Sequence, residues 1–198
     1  MDVNAGGIKP GEFDPADVDR VVAALARGEV VIIPTDTVYG IGADPTQPDA
    51  MRQLFALKQR PEGVPIAVLI GSVEQARSLI AWNDDLDALG DAHWPGALTI
   101  VGRSIADGFH VGSVDTIGVR VPDQPLVRAC AQRFGPIATT SANRHGEPTI
   151  VDPEKLRAVF GHDVDVIVDG GALRGTASTV VDATANPPTV LRQGTVEI

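Results

Sequence analysis

Cysteine is almost missing from this chain of 198 residues. Cys130 is the single one, so no internal disulfide can form. It stands in "LVRACAQRF", where helical surroundings make it a core residue rather than a nucleophile. A reducing, cytoplasmic setting is the expectation. Positive charge is short as well: 16 basic residues face 26 acidic ones, for a formal net charge of −10. A broad nucleic-acid footprint needs a basic face, so direct tRNA binding is expected to be weak or absent, although a local basic pocket stays open. Only Lys9, Lys58 and Lys155 are lysines. Arginine, with its fixed fork of donors, carries most of the positive charge and suits phosphate or carboxylate recognition. No apolar run is long enough to span a membrane, and no signal-peptide pattern opens the chain.

Several chemistries lack their signatures. The four histidines (His93, His110, His145, His162) show no metal-ligand spacing. There is neither a Walker-type phosphate loop nor a nucleophile elbow. Gly40-Ile41-Gly42 follows a strand candidate, but Pro45 stands where a dinucleotide fingerprint needs its third glycine.

What is present alternates helix with strand. Asp14-Pro15 caps a helix that closes at Gly28, and Asp152-Pro153 caps another ending at Gly161. Further helices are expected at Met51–Leu57, from Ser72 to about Ile80, at Asn83–Ala92 and at Asp123–Phe134. Strands are expected at Val30–Ile33, Ile66–Ile70, Leu98–Val101, Thr116–Val121, Ile137–Thr140, Val164–Val168, Ser178–Val181 and Val190–Arg192. This order implies an α/β fold, an open twisted mixed sheet flanked by helices, in a single domain over 13–198. Residues 1–12 read as a loosely held segment.

Polar residues gather at element ends with a period of two. In "TIGVRVP", Thr116, Gly118 and Arg120 share a face opposite Ile117, Val119 and Val121. An arginine there needs an anionic partner, from the protein or from a ligand. In "VVIIPTDTVYGIGADP", Thr35 and Thr37 share a face if the chain stays extended beyond Pro34. Ser141 and Asn143 do so at the end of "IATTSAN", where an α/β sheet presents groups to a crevice. Lys58 and Arg60 leave a helix before Pro61, so that both could reach one anion. Ser178 opens "STVVD", and Arg192 lies in "TVLRQG".

Taken in order, "PTDTVYGIGAD", "KQRP", "WPGALT", "GVRVP", "TTSAN", "STVVD" and "LRQG" make this chain resemble the YrdC/Sua5 family of threonylcarbamoyl-AMP synthases, in the short single-domain form. That resemblance implies an enzyme joining L-threonine, bicarbonate and ATP into threonylcarbamoyl-adenylate, with release of pyrophosphate. Transferase proteins that modify tRNA at position 37 would consume the product. By motif, Thr37, Arg120, Ser141 and Ser178 would contact threonine. Lys58, Arg60, Thr116, Asn143 and Arg192 would contact the nucleotide, with Lys58 and Arg60 offsetting charge as the phosphates react. Thr35 is a further candidate for the phosphate side, and Mg²⁺ would accompany ATP. Three positions depart from the family pattern: Val64, Leu69 and His145 stand where asparagine, histidine and serine are common. Two other readings compete, an RNA- or nucleotide-binding module of the same fold without turnover, and a related carbamoyl-adenylate-forming enzyme.

Overall fold

In the computed structural model, residues 13–61, 63–164, 166–173 and 175–198 are described. The expectation of a loosely held 1–12 lies outside them. Helices begin where the capping residues place them. Asp14 accepts the Ala16 N–H ahead of α1 (Pro15–Ala26), and Asp152 accepts the Glu154 N–H ahead of α6 (Pro153–Phe160). α2 (Pro48–Lys58) starts a turn earlier than the apolar spacing implied, because Pro48 opens it. Ser72 caps α3 (Val73–Leu79) and Asn83 caps α4 (Asp84–His93). Gln75 completes a displaced capping box: its side-chain oxygen takes the N–H of Gly71 instead of Ser72. α5 (Pro125–Phe134) is capped by Gln124, one residue beyond the expected Asp123.

The strands are β1 (Val31–Ile33), β2 (Gly40–Ala43), β3 (Ala67–Leu69), β4 (Leu98–Arg103), β5 (Thr116–Arg120), β6 (Ile137–Ser141), β7 (Val166–Ile167), β8 (Thr179–Asp182) and β9 (Thr189–Arg192). Among the described residues they form one sheet in the order β7-β1-β2-β6-β3-β5-β4-β8-β9. β1 with β7, β3 with β5 and β4 with β8 run parallel; the remaining neighbours are antiparallel. The α/β class and the mixed sheet are as expected. β2 is an addition: "GIGA" has too little side chain to announce a strand, yet both of its edges are paired, to β1 and to β6. Bare glycines are needed there, since a Cβ on Gly40 would overlap the Thr139 methyl.

The two faces of this sheet are covered unequally. On one, Ile32, Ile41, Val68, Ile117, Val119 and Ala138 pack under Leu54, Phe55, Leu79, Leu86, Leu156 and Phe160 from α2, α3, α4 and α6. On the other, Val18, Val21 and Leu25 of α1 and Leu126, Val127 and Cys130 of α5 cover Val31, Ile33, Leu69, Ile137 and Val166. This second cover includes no residue of β4, β5, β8 or β9, and the outward row of those strands is where the polar side chains lie. Cys130 is fully buried, and burial pushes its thiol up to about 12, as befits a packing residue.

Two loops are tied down from the sheet. Tyr39 donates to the Gly171 carbonyl at 2.7 Å and accepts the Gly170 N–H at 2.9 Å, fixing the start of the β7–β8 loop. Gly194, just past β9, lies so close to the 177–179 backbone that a Cβ would overlap the Ala177 carbonyl oxygen. Neither side of that contact is a side chain that could swing away. Gly194→Ala is therefore expected to lower unfolding free energy by about 1–3 kcal/mol in a urea titration. Unchanged stability would show that the last strand shifts freely.

Candidate active site

The uncovered half of the sheet opens as a cleft of about 620 Å³. Its floor is a row of small residues: Thr139 pairs with Ala67, Ala67 with Gly118, and Gly118 with Val101 across β6, β3, β5 and β4. Thr35, Thr37, Arg60, Thr116, Arg120, Ser141, Ser178 and Arg192 all border it. Eight sequence-selected positions, spread from residue 35 to residue 192, thus converge. Lys58 and Asn143 do not reach the wall; they lie directly beneath it.

Lys58 is only 1% exposed. Its ammonium donates to the Ser141 carbonyl at 2.5 Å, the Asn143 carbonyl at 2.8 Å and the Asn143 Oδ1 at 3.0 Å. All three of its protons are taken. Asn143 is equally committed, its amide donating to the Arg144 and Glu147 carbonyls while Oδ1 also accepts from the Ser141 hydroxyl. In return, the Lys58 carbonyl receives the His145 N–H at 2.7 Å. In this arrangement the hydrogen bonds of Lys58 and Asn143 hold the "SAN" turn in place. Gln59 ends α2 in the left-handed region at φ 53°, which turns Arg60 outward while Lys58 stays beneath.

Arg60 donates to the Pro65 carbonyl at 2.8 Å and to the Val64 carbonyl at 3.4 Å. Arg192 donates twice to the Ser178 carbonyl, at 3.2 and 2.9 Å, and once to its hydroxyl at 3.2 Å. Among the described residues neither has a carboxylate partner; outside the cleft Arg103 and Arg144 also have none, whereas Arg20, Arg27, Arg52, Arg77, Arg128, Arg133 and Arg157 are paired. Burial, followed by the Arg192 charge, lowers the Arg60 pKa; burial, followed by the Arg120 charge, lowers that of Arg192. Both guanidiniums border the same cleft, an arrangement whose charge can attract an anion.

Arg120 differs. Its Nε donates to the Gly96 carbonyl, Nη1 to the Thr37 hydroxyl at 3.0 Å and Nη2 to Asp36 at 2.5 Å. Each terminal nitrogen keeps one proton, enough for a forked contact with one carboxylate. Thr37 and Thr35 do meet, their hydroxyls 3.0 Å apart, but through a tight turn rather than an extended strand. Thr35 accepts the N–H groups of Thr37 and Val38 and donates to the Val38 carbonyl, so its hydroxyl builds the turn. Ser178 shares a hydrogen bond of 2.9 Å with Thr99, and Thr116 one of 3.0 Å with Ser113.

Sequence reasoning passed over Asp36, Thr99 and Asp182. The period-two rule that selected Thr116 and Arg120 also places Thr99 beside Val101 on one face, and Asp182 beside Val180. Both signals were available. Asp36 gave none, because its pairing with Arg120 spans 84 residues. Among the departures from the family pattern, Leu69 borders the cleft, Val64 offers only its carbonyl to Arg60, and His145 is exposed.

Burial, then the charge of Arg60, pushes Lys58 from 10.5 down to about 8. The unfolded chain therefore binds the extra proton between about pH 8 and 10.5, and this group's contribution to stability rises across that window. Over the same window the neutral amine has one donor fewer for three acceptors. Turnover should fall as pH passes about 8 without a matching drop in melting temperature. Lys58→Met should remove that limb from the pH profile; a limb that survives in the variant belongs to another group.

Known proteins resemble this chain in sequence and fold. A family model named Sua5_yciO_yrdC and described as "Telomere recombination" matches residues 23–194. The threonylcarbamoyl-AMP synthase of Chromohalobacter salexigens is 39% identical over 180 residues, covering 83% of this chain and 92% of that protein. The structure of Pyrococcus abyssi Sua5 complexed with L-threonine superposes with a TM-score of 0.86 at 31% identity, over 92% of this chain and 55% of that one. Escherichia coli YciO gives 0.86 at 25% identity, over 94% and 93%. With a matching model over residues 23–194 and structural likeness over 94% of its length, the chain belongs to the Sua5/YciO/YrdC family.

Proposed function

We propose that this chain is a threonylcarbamoyl-AMP synthase, a nucleotidyltransferase acting on L-threonine, bicarbonate and ATP. The observation that carries this reading is the cleft itself. Arg60 and Arg192, which have no acidic partner among the described residues, stand beside Arg120, which has two protons left over and has hydroxyls around it. A polyanion and an amino-acid carboxylate can be held side by side there.

In this reading Arg120 takes the threonine carboxylate, and Thr37, Ser141 and Ser178 surround the amine end. Threonine's nitrogen bonds to the carbon of bicarbonate with loss of water, giving a carbamate. One carbamate oxygen then forms a bond to the α-phosphorus of ATP while the bond to the pyrophosphate oxygen breaks. Arg60 and Arg192 neutralise charge growing on the departing oxygens, and Thr116 lies toward the nucleotide. Mg²⁺ would arrive with ATP and supply further charge neutralisation at the phosphates. Aligning the reactants and fixing the donors does the chemical work, so no protein nucleophile is required. No described helix is long and apolar enough to cross a membrane. We place the enzyme in the cytoplasm, passing its adenylate to transferase proteins that modify tRNA.

The test incubates the purified chain with ATP, bicarbonate and each of several amino acids, and detects the adenylate by mass and pyrophosphate by coupled assay. Threonine is expected to be the preferred substrate. Arg60→Ala should lower turnover roughly a hundredfold, as for loss of a transition-state donor, whereas Arg120→Ala should chiefly raise the KM for threonine. RNA or nucleotide binding without pyrophosphate release would overturn the assignment in favour of a binding module.

A further inference from the structure

Among the described residues lining the cleft, Asp182 is the only acid. It sits on the outward face of β8, two residues beyond Val180. The adjoining β-bulge falls on the neighbouring strand: Val180 pairs with Arg192 and Val181 with Val190, so Leu191 is the extra residue. The bulge lets Leu191 and Arg192 both border the cleft, which successive residues of a regular strand would not do. β8 itself keeps its alternation, carrying Asp182 about 6.6 Å past Val180 and about 13 Å past Ser178.

One carboxylate oxygen has a structural task. Asp182 Oδ1 accepts the Thr184 N–H at 2.9 Å and the Thr184 hydroxyl at 2.7 Å, closing the turn after β8. That explains the residue type and leaves the second oxygen without a donor among the described residues, in a cleft whose other charged lining residues, Arg60, Arg120 and Arg192, are all cations. A carboxylate opposes phosphate binding, so it must address a part of the ligand that donates hydrogen bonds. It also lies too far along the strand from Ser178 to meet an amino acid held there. One two-residue step from the level of Arg192 is the scale of one ribose.

We propose that Asp182 recognises the sugar of the nucleotide, its free carboxylate oxygen accepting a hydrogen bond from a ribose hydroxyl. This rests on the ATP-dependent reading above. It adds a nucleoside-contacting residue to Arg60 and Arg192, which by themselves would hold any triphosphate.

Calorimetric titration of the full chain with ATP, 2′-deoxy-ATP and 3′-deoxy-ATP tests it, since binding can be read whether or not turnover occurs. Wild type should bind at least one deoxy analogue roughly tenfold or more weakly than ATP, the scale of one hydrogen bond to a charged group. Asp182→Ala should lose as much ATP affinity and no longer distinguish the three nucleotides. In Asp182→Asn the Thr184 N–H keeps the amide oxygen inward and turns the NH₂ outward. A hydroxyl can accept from that group, so this variant should retain most ATP affinity. Equal binding of all three nucleotides by wild type, or full discrimination by a folded Asp182→Ala, overturns the proposal. So does an Asp182→Asn loss as severe as that of alanine, which would assign the contact to the adenine amine. If Asp182→Ala fails to fold, the wild-type comparison and the asparagine variant decide. Adenylate formation is measured in parallel: its absence alongside intact sugar discrimination sinks the proposed reaction and leaves the Asp182 contact standing.

Discussion

The Lys58 ammonium lies under the cleft with carbonyl and amide oxygens as its neighbours and no carboxylate among them. Removing such a charge from water is costly, and three short contacts offset that cost only while the acceptors stay in place. The coupling runs both ways. The end of α2 is anchored to the turn after β6, and the turn is anchored to the helix through the His145 N–H. Arg60 leaves from the same helix end and Ser141 faces the cleft from the same turn, so two walls of the site share one buried fastening.

Charge is partitioned in this molecule. The chain is acidic overall, and most of its arginines are matched to nearby carboxylates around the outside. In the cleft the balance reverses: Arg60 and Arg192 both border it and have no carboxylate partner among the described residues. In a chain of net negative charge a recessed cationic hollow still attracts a small polyanion, because low-dielectric walls focus the field there. Net charge therefore said little about what the hollow holds.

Much of the fold could be read from local grammar. Asp14-Pro15, Ser72, Asn83 and Asp152 each mark a helix start, and β-branched runs mark most strands. β2 escaped because two of its four residues are glycines, chosen for close contact with Thr139 and Ile137 rather than for strand preference. For the site, period-two spacing selected residues such as Thr116 and Arg120 that do face the cleft. It could not separate groups that line a cavity from groups that brace it. Lys58 and Asn143 carry the most recognisable signatures in the chain, yet their hydrogen bonds are spent on each other, 85 residues apart in sequence. Thr35 and Thr37 met by a different route, since a hydroxyl-built turn and an extended strand both place alternate side chains side by side.

Gly118 occupies the middle of the small-residue floor. A Cβ there would meet the methyls of Thr99 and Val101 at 3.4 and 3.6 Å and the Ala67 backbone at 3.9 Å, at most a marginally tight fit. The surrounding framework thus has room for alanine, and the added methyl group would come out of volume otherwise open to a guest. Depth at this point is independent of foldedness: one methylene-sized change could make the basin shallower while the scaffold keeps its shape.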